Sequence, residues 1–108
     1  MTISSKDKQK LKALAHSIQP SVIIGKDGLS SGTLNSIENS FKHNELIKIK
    51  FNSFKTEKDT ISQNIIDLNK ATLIGKIGNI IILYKQNADP EKRKIKIWIV
   101  ITSYNIAS

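Results

Sequence analysis

The residues whose types and spacing suggest chemistry form the short segment Gly25-Lys26-Asp27-Gly28. An apolar run precedes this segment, and two serines and a helical pattern follow it. Glycine tolerates positive φ angles and lets the backbone approach a ligand closely, while the N–H groups that begin a helix attract an anion. With Lys26 at its tip, the segment predicts a strand, a tight loop and a helix N-terminus arranged to hold a phosphate group.

The charge of the chain agrees with an anionic partner. Its 108 residues include 17 Lys and Arg against 9 Asp and Glu, which is a formal net charge of +8. Such an excess is typical of proteins that bind nucleic acid or an anionic membrane surface. The length and the apolar content of 39% predict one domain with a modest core.

The same composition disfavours several classes of protein. The chain has no cysteine, which removes disulfide and thiolate chemistry and is typical of a reducing compartment. The first residues lack the apolar segment of a signal peptide, and no apolar run is long enough to span a bilayer. We therefore expect a cytoplasmic protein.

An enzyme is also disfavoured. The two histidines, His16 and His43, fall on different predicted elements without metal-ligand spacing. The chain has neither a Gly-x-Ser-x-Gly nucleophile motif nor a Walker sequence. We expect no catalytic residue, no metal and no cofactor. A second G-x-x-G pattern, from Gly75 to Gly78, would support a small nucleotide-dependent enzyme, but it falls within a predicted strand and ends in a hairpin turn.

Apolar residues recur at helical spacing in three segments. Ser4 or Ser5 can cap the first helix and Ser30 or Ser31 the second, whereas acidic residues begin the third. The positions at helical spacing are Leu11, Leu14, Ala15 and Ile18 in the first helix, Leu34, Ile37 and Phe41 in the second, and Ile61, Ile65, Leu68 and Thr72 in the third.

Four strands are predicted between and after these helices. Residues 21–24 form a short buried strand, and residues 73–77 and 80–85 form a hairpin whose two-residue turn has Gly78 at positive φ. Because residues 80–85 are nearly all apolar, we expect this strand to be central and covered on both faces. Residues 45–51 alternate with a period of two, with Ile47, Ile49 and Phe51 on one face and Leu46, Lys48 and Lys50 on the other. The two lysines either keep the sheet soluble or extend a basic surface from the loop.

Residues 94–101 also alternate, with four isoleucines on one face. The other face carries Lys94, Lys96, Trp98 and Val100. We predict that this segment adds an edge strand paired onto residues 80–85. The order of elements is then α-β-α-β-α-β-β with a further terminal strand, which predicts an α/β fold with a mixed four-stranded sheet packed with helices.

Aromatic side chains are scarce, with three Phe, two Tyr and one Trp in the whole chain. Phe41 and Phe51 fall in the predicted core, Tyr84 in the core or at the sheet edge, and Trp98 is expected to pack on the sheet. Few stacking groups and many lysines favour recognition of backbone and shape over the reading of splayed bases.

Several segments within residues 5–86, in order, resemble the CRM domain, named for chloroplast RNA splicing and ribosome maturation. The similarity is to its short bacterial stand-alone form, the YhbY-like proteins. The matching stretches are residues 11–16, 19–20, 24–29, 43–50 and 77–85, which include Gly25-Lys26-Asp27-Gly28-Leu29 and Leu83-Tyr84-Lys85.

The resemblance implies a fold similar to the C-terminal domain of translation initiation factor three. It also implies RNA binding, in the bacterial members to precursors of the large ribosomal subunit. The family's G-x-x-G loop corresponds to residues 25–28, where Asp27 would cap the helix or hold the shape of the loop. The RNA-binding residues that the resemblance implies are Gly25, Lys26, Asp27, Gly28, Lys12, Lys48 and Lys50.

We therefore expect an RNA-binding domain over residues 1–86 and a C-terminal extension over residues 87–108, whose edge strand packs on the same domain. Family members usually end in a short polar tail, so the isoleucine-rich residues 94–101 are a departure. The main expectation is a monomeric factor for assembly of the large ribosomal subunit that binds RNA and no membrane. The alternative is a protein–protein interaction module, in which Trp98 and Val100 of the edge strand dock a partner.

Overall fold

The computed structural model describes residues 3–95 and the backbone of residues 2, 99 and 100. The chain forms three α-helices and six strands in these residues. In chain order they are β1 (Thr2–Ile3), α1 (Ser5–Ala15), β2 (Val22–Ile24), α2 (Ser31–His43), β3 (Leu46–Phe51), α3 (Lys58–Asn69), β4 (Thr72–Ile77), β5 (Ile80–Tyr84) and β6 (Ile99–Val100), with a short 3-10 turn at Pro90–Lys92.

Four of the strands form a mixed sheet in the order β2-β3-β5-β4. β2 runs parallel to β3, whereas β3 with β5 and β5 with β4 are antiparallel. The parallel pair is joined through α2, as a crossover between parallel strands requires. The predicted fold class, an α/β fold with a mixed four-stranded sheet and packed helices, is confirmed.

Serine side chains determine where the first two helices begin. The Oγ of Ser4 accepts a hydrogen bond from the backbone N–H of Asp7 at 3.1 Å, and the Oγ of Ser30 accepts one from Thr33 at 3.2 Å. Each bond satisfies an N–H group that has no partner inside its own helix. α3 begins without a side-chain cap, and it ends at Lys70, which adopts the left-handed region with φ of 55°.

The core has two parts, one on each face of the sheet. α2 and α3 cover one face, where Ile37 and Ile65 lie fully buried against the strands. α1 covers the other face through Leu11 and Ala15, which are also buried. Burial of apolar surface on both sides, at about 25 cal/mol per Å², is the main stabilising contribution.

The central position predicted for residues 80–85 is confirmed. β5 lies between β3 and β4, with Ile81 and Leu83 in the core under α2 and α3 and Ile82 and Tyr84 in the core under α1. The hairpin turn before β5 is also as predicted, because Gly78 adopts a φ of 58°.

Two leucines predicted to lie on buried helix faces are exposed. Leu14 of α1 is 41% exposed and Leu68 of α3 is 67% exposed. α3 instead buries Ser62, Ile65 and Asn69, and the Asn69 side-chain amide donates to the carbonyl of Ile65 at 2.9 Å. The helix is therefore rotated relative to the stripe that apolar spacing predicts, and its buried asparagine satisfies part of its amide on its own helix.

The predicted pairing of residues 94–101 onto residues 80–85 is wrong. Both sides of β5 are already occupied, by β3 and β4. Ile99–Val100 pairs antiparallel with Thr2–Ile3 in a separate two-stranded sheet. The docking alternative was placed on this strand, and its residues Lys96, Trp98 and the side chain of Val100 lie outside the described residues, so it stays a prediction.

A buried carboxylate holds the segment that follows β5. Glu45 is 5% exposed, and its oxygens accept hydrogen bonds from the backbone N–H groups of Asn87 at 2.8 Å, Lys94 at 2.8 Å and Ile95 at 3.2 Å. Burial raises the pKa of the neighbouring Tyr84 hydroxyl to about 12, and the negative charge of Glu45 adds to the rise. The phenol therefore stays protonated throughout the physiological range.

Replacement of Glu45 tests this anchor. We expect Glu45→Ala to lower the free energy of unfolding by about 2–3 kcal/mol, because three backbone amides lose a charged acceptor. Glu38→Ala is the matched control, since Glu38 is exposed on α2 and should change stability by no more than about 0.5 kcal/mol. Urea unfolding of both variants measures the difference, and equal losses would contradict the anchoring role.

Candidate functional site

The loops that follow β2 and β3 lie side by side at one end of the sheet. This arrangement follows from the parallel pairing, in which Ile24 is opposite Phe51. The backbone N–H groups of Asn52 and Ser53 both donate to the carbonyl of Ile24, at 3.0 and 3.2 Å. The loop of residues 52–57 is thereby fastened to the chain one residue before Gly25.

The β4–β5 hairpin reaches the same end. The N–H of Phe51 donates to the carbonyl of Asn79 at 2.7 Å, and the Lys58 ammonium donates to the carbonyl of Gly78 at 2.8 Å. The second G-x-x-G pattern, which ends at Gly78, therefore forms a turn that supports the end of the sheet, and its Lys76 is paired with Asp59 at 3.1 Å.

Residues 25–28 form a tight turn. The N–H of Gly28 donates to the carbonyl of Gly25 at 3.0 Å, which places the exposed residues Lys26 and Asp27 at the tip. Gly28 has a φ of 60°, a conformation that glycine adopts without strain. Gly25 has no such requirement, and a Cβ there would meet no atom within 4 Å.

The backbone amides at this end divide into two groups. Those of Gly28 and Thr33 are used within the loop and the helix cap. Within residues 2–95, no hydrogen bond occupies the amides of Lys26 and Asp27. A phosphate would therefore meet the amides at the tip of the turn, and the expectation that Asp27 caps α2 is wrong because Ser30 does so.

Phe54 lies beside the loop of residues 25–28, a position that the sequence did not reveal. It lies in the loop of residues 52–57 with a φ of 56°, and its side chain is 40% exposed. Three atoms of its ring lie 3.2–3.7 Å from the position that a Cβ of Gly28 would take. The sequence offered one sign of this position: Phe54 is an aromatic residue in a polar connection and fits none of the apolar repeats of the predicted helices and strands.

The predicted basic residues outside the loop share one face of the sheet. Lys48 and Lys50 lie on the face that α1 covers, and the stem of Lys12 crosses Gly75, whose absent Cβ would come within 3.1 Å of the lysine Cε. Gly75 and Lys48 are both opposite Ile82. Two strand spacings separate them, which is about 10 Å.

This basic face continues toward the loop. Lys50 is two residues beyond Lys48, about 7 Å along the strand, and it is opposite Ile23, which is 53% exposed and lies two residues before Gly25. In the described part of the chain, Lys12, Lys26, Lys48 and Lys50 form no ion pair with a carboxylate. Their charge is therefore available to a polyanion.

The described residues contain no group of three side chains able to hold a metal ion. Both histidines are exposed, one just after α1 and the other at the end of α2. No helix in the described ranges has the length and the apolar character needed to cross a bilayer.

The sequence matches the CRS1/YhbY (CRM) domain over residues 3–85. The chain belongs to this family. The resemblance drawn from residues 5–86 is thus confirmed. The CRM match ends directly before the segment that Glu45 anchors, so residues 87–95 lie beyond the family region.

Proteins similar to this CRM domain include bacterial ones that are named for RNA binding. A protein of Haemophilus influenzae named RNA-binding protein is 41% identical over 97 residues, which are 89% of this chain and 95% of the relative. The protein YqeI of Bacillus subtilis, named a probable RNA-binding protein, is 26% identical over 88 residues, or 81% and 92% of the two chains.

A solved structure shares the fold. The solution structure of SAV1595 from Staphylococcus aureus, presented as a candidate RNA-binding protein, superposes with a TM-score of 0.69 at 26% identity. The superposition covers 88% of this chain and all of the other.

Gly28 has a positive φ and a close neighbour, whereas Gly25 has neither, so alanine substitutions at the two positions should differ in their effect on stability. We expect Gly28→Ala to lower the free energy of unfolding by about 1–2 kcal/mol, because a left-handed backbone costs an L-residue roughly that much and the new Cβ would press on Phe54. Gly25→Ala should change it by no more than about 0.5 kcal/mol. Urea unfolding measures both, and equal effects would contradict the described geometry.

Proposed function

We propose that this CRM-domain protein is a monomeric, non-catalytic RNA-binding factor that acts in the cytoplasm in maturation of the large ribosomal subunit. Its family and the names of its relatives support RNA as the partner. The observation that carries the proposal is the tight turn of residues 25–28, with the exposed Lys26 at its tip beside a face of unpaired lysines.

The turn would hold one backbone phosphate of the RNA. Lys26 supplies the positive charge, and the amides of Lys26 and Asp27 supply hydrogen bonds to phosphate oxygens. Gly25 leaves open space beside the backbone, where a Cβ would meet no atom within 4 Å, so a phosphate can approach it there. The Asp27 carboxylate, exposed at the same tip, would weaken binding slightly because its charge repels phosphate.

The lysines on the sheet would widen the footprint. Lys50 lies nearest to the loop, followed by Lys48 and then by Lys12 across the sheet. Contacts of this kind fix the position of a nucleic acid and contribute most of its salt-dependent affinity, but they carry no sequence information. Recognition by backbone and shape therefore fits this surface.

Replacement of Lys26 tests the phosphate contact. We expect Lys26→Ala to weaken the binding of single-stranded RNA several-fold and to reduce the slope of log K against log salt concentration by about 0.7, the value for one phosphate contact on a single strand. Affinity measured over a series of salt concentrations gives both quantities.

Lys42→Ala is the matched control, because it removes the same charge at the other end of α2. Lys42 is exposed and lies roughly 16 Å along the helix from its first residue. The salt dependence of this variant should equal that of the wild type. If the two variants behave alike, the assignment of the phosphate contact to the loop is wrong.

The ribosomal part of the proposal needs a cellular measurement. Crosslinking in cells, followed by sequencing of the bound RNA, should recover mainly precursor RNA of the large ribosomal subunit. Lys26→Ala should recover less of the same RNA. Recovery of RNA without any ribosomal precursor would refute the assembly role while leaving RNA binding itself intact.

A further inference from the structure

Phe54 differs from the other aromatic side chains that the structure describes. Phe41, Phe51 and Tyr84 are at most 5% exposed, whereas Phe54 is 40% exposed. Phe54 also belongs to neither part of the core. Its ring therefore contributes little to the apolar interior, and its position needs another explanation.

The backbone at Phe54 is unfavourable for its residue type. A positive φ is uncommon for any residue other than glycine and is an outlier for a bulky aromatic one. Hydrogen bonds hold the loop on both sides of this residue: the amide of Ser53 donates to Ile24, and the carbonyl of Phe54 accepts from the N–H of Glu57 at 3.1 Å. The chain thus holds a phenylalanine where glycine or asparagine would fit more easily.

The loop conformation directs the ring onto the proposed phosphate site. One side of the ring rests on Gly28, at 3.2–3.7 Å from its Cβ position, and the absence of a Cβ there allows the contact. The exposed lysines Lys26 and Lys55 lie on the two loops that meet at this point. A partly exposed aromatic ring and positive charge beside a backbone site are the components that single-stranded nucleic-acid sites combine.

We propose that Phe54 is a stacking platform for one unstacked base of a single-stranded RNA whose adjacent phosphate is held at residues 25–28, an inference that rests on the proposed function. The ligand is a single strand, because the bases of a duplex are already stacked on each other. Stacking on an aromatic ring accepts any base, since every base has a π-face. The site therefore adds base binding without base selectivity.

The test compares two probes, a short oligoadenosine RNA and an abasic oligomer of the same length and charge. Phe54→Leu keeps an apolar side chain against Gly28 but removes the π-face. We expect this variant to bind oligoadenosine about tenfold more weakly, within the range measured for loss of one stacked base. Its affinity for the abasic oligomer and its salt dependence should be unchanged. Phe54→Tyr should retain wild-type affinity for both probes.

The wild-type protein supplies a measurement that does not depend on folding of a variant. On titration with oligoadenosine, the ring protons of Phe54 should shift upfield in NMR spectra, because the stacked base shields them, and the abasic oligomer should not produce this shift. The stacking role would be overturned if Phe54→Leu lost equal affinity for both probes, or if the wild type showed no upfield shift; RNA binding itself would still stand. Failure of the wild type to bind either probe would overturn the proposed function itself.

Discussion

Backbone hydrogen bonds between two parallel strands, β2 and β3, determine where the chemistry of this protein lies. Because the strands run in the same direction, both loops at their carboxyl ends leave the sheet at the same end, and both following helices begin there. The positive ends of two helix dipoles and the exposed side chain of Lys26 thus share one region. An antiparallel arrangement would place the two loops at opposite ends of the sheet and separate Gly28 from Phe54.

Packing of the sheet on both faces explains how this end of it tolerates unfavourable local structure. A left-handed phenylalanine and a half-exposed Ile23 both lie there. Ile23 lies in β2 between the buried Val22 and Ile24. The loop that carries Phe54 is tied to the same strand, because the amides of Asn52 and Ser53 donate to the carbonyl of Ile24. Strained or exposed groups persist where the surrounding structure over-determines them. The stability of the core therefore supports the unfavourable conformations at the end of the sheet that carries the loops.

The elements of this fold could be predicted from local patterns, because periodicity, caps and turns depend on residues a few positions apart. Ser4, Ser30 and Gly78 act as their local sequences indicate. The turn of residues 25–28 was also visible as two glycines around a polar pair. Three features depend on which elements lie side by side: the exposure of Leu68, the pairing of β6 with β1, and the contact of Phe54 with Gly28. The periodicity of a single segment does not carry that information. The anchoring role of Glu45 could not be predicted from local patterns either, since its three hydrogen-bond donors are more than forty residues away in sequence.

The anchoring of residues 87–95 by Glu45 has a consequence for synthesis of the chain. All four strands of the mixed sheet are complete once Tyr84 has been added, yet the carboxylate gains two of its three donors only when Lys94 and Ile95 follow. Until then a charge at the start of β3 has no full set of partners in a site that later excludes water. Domains generally fold as units, so translation must supply Lys94 and Ile95, which lie beyond the last sheet strand, before this domain can close fully around Glu45.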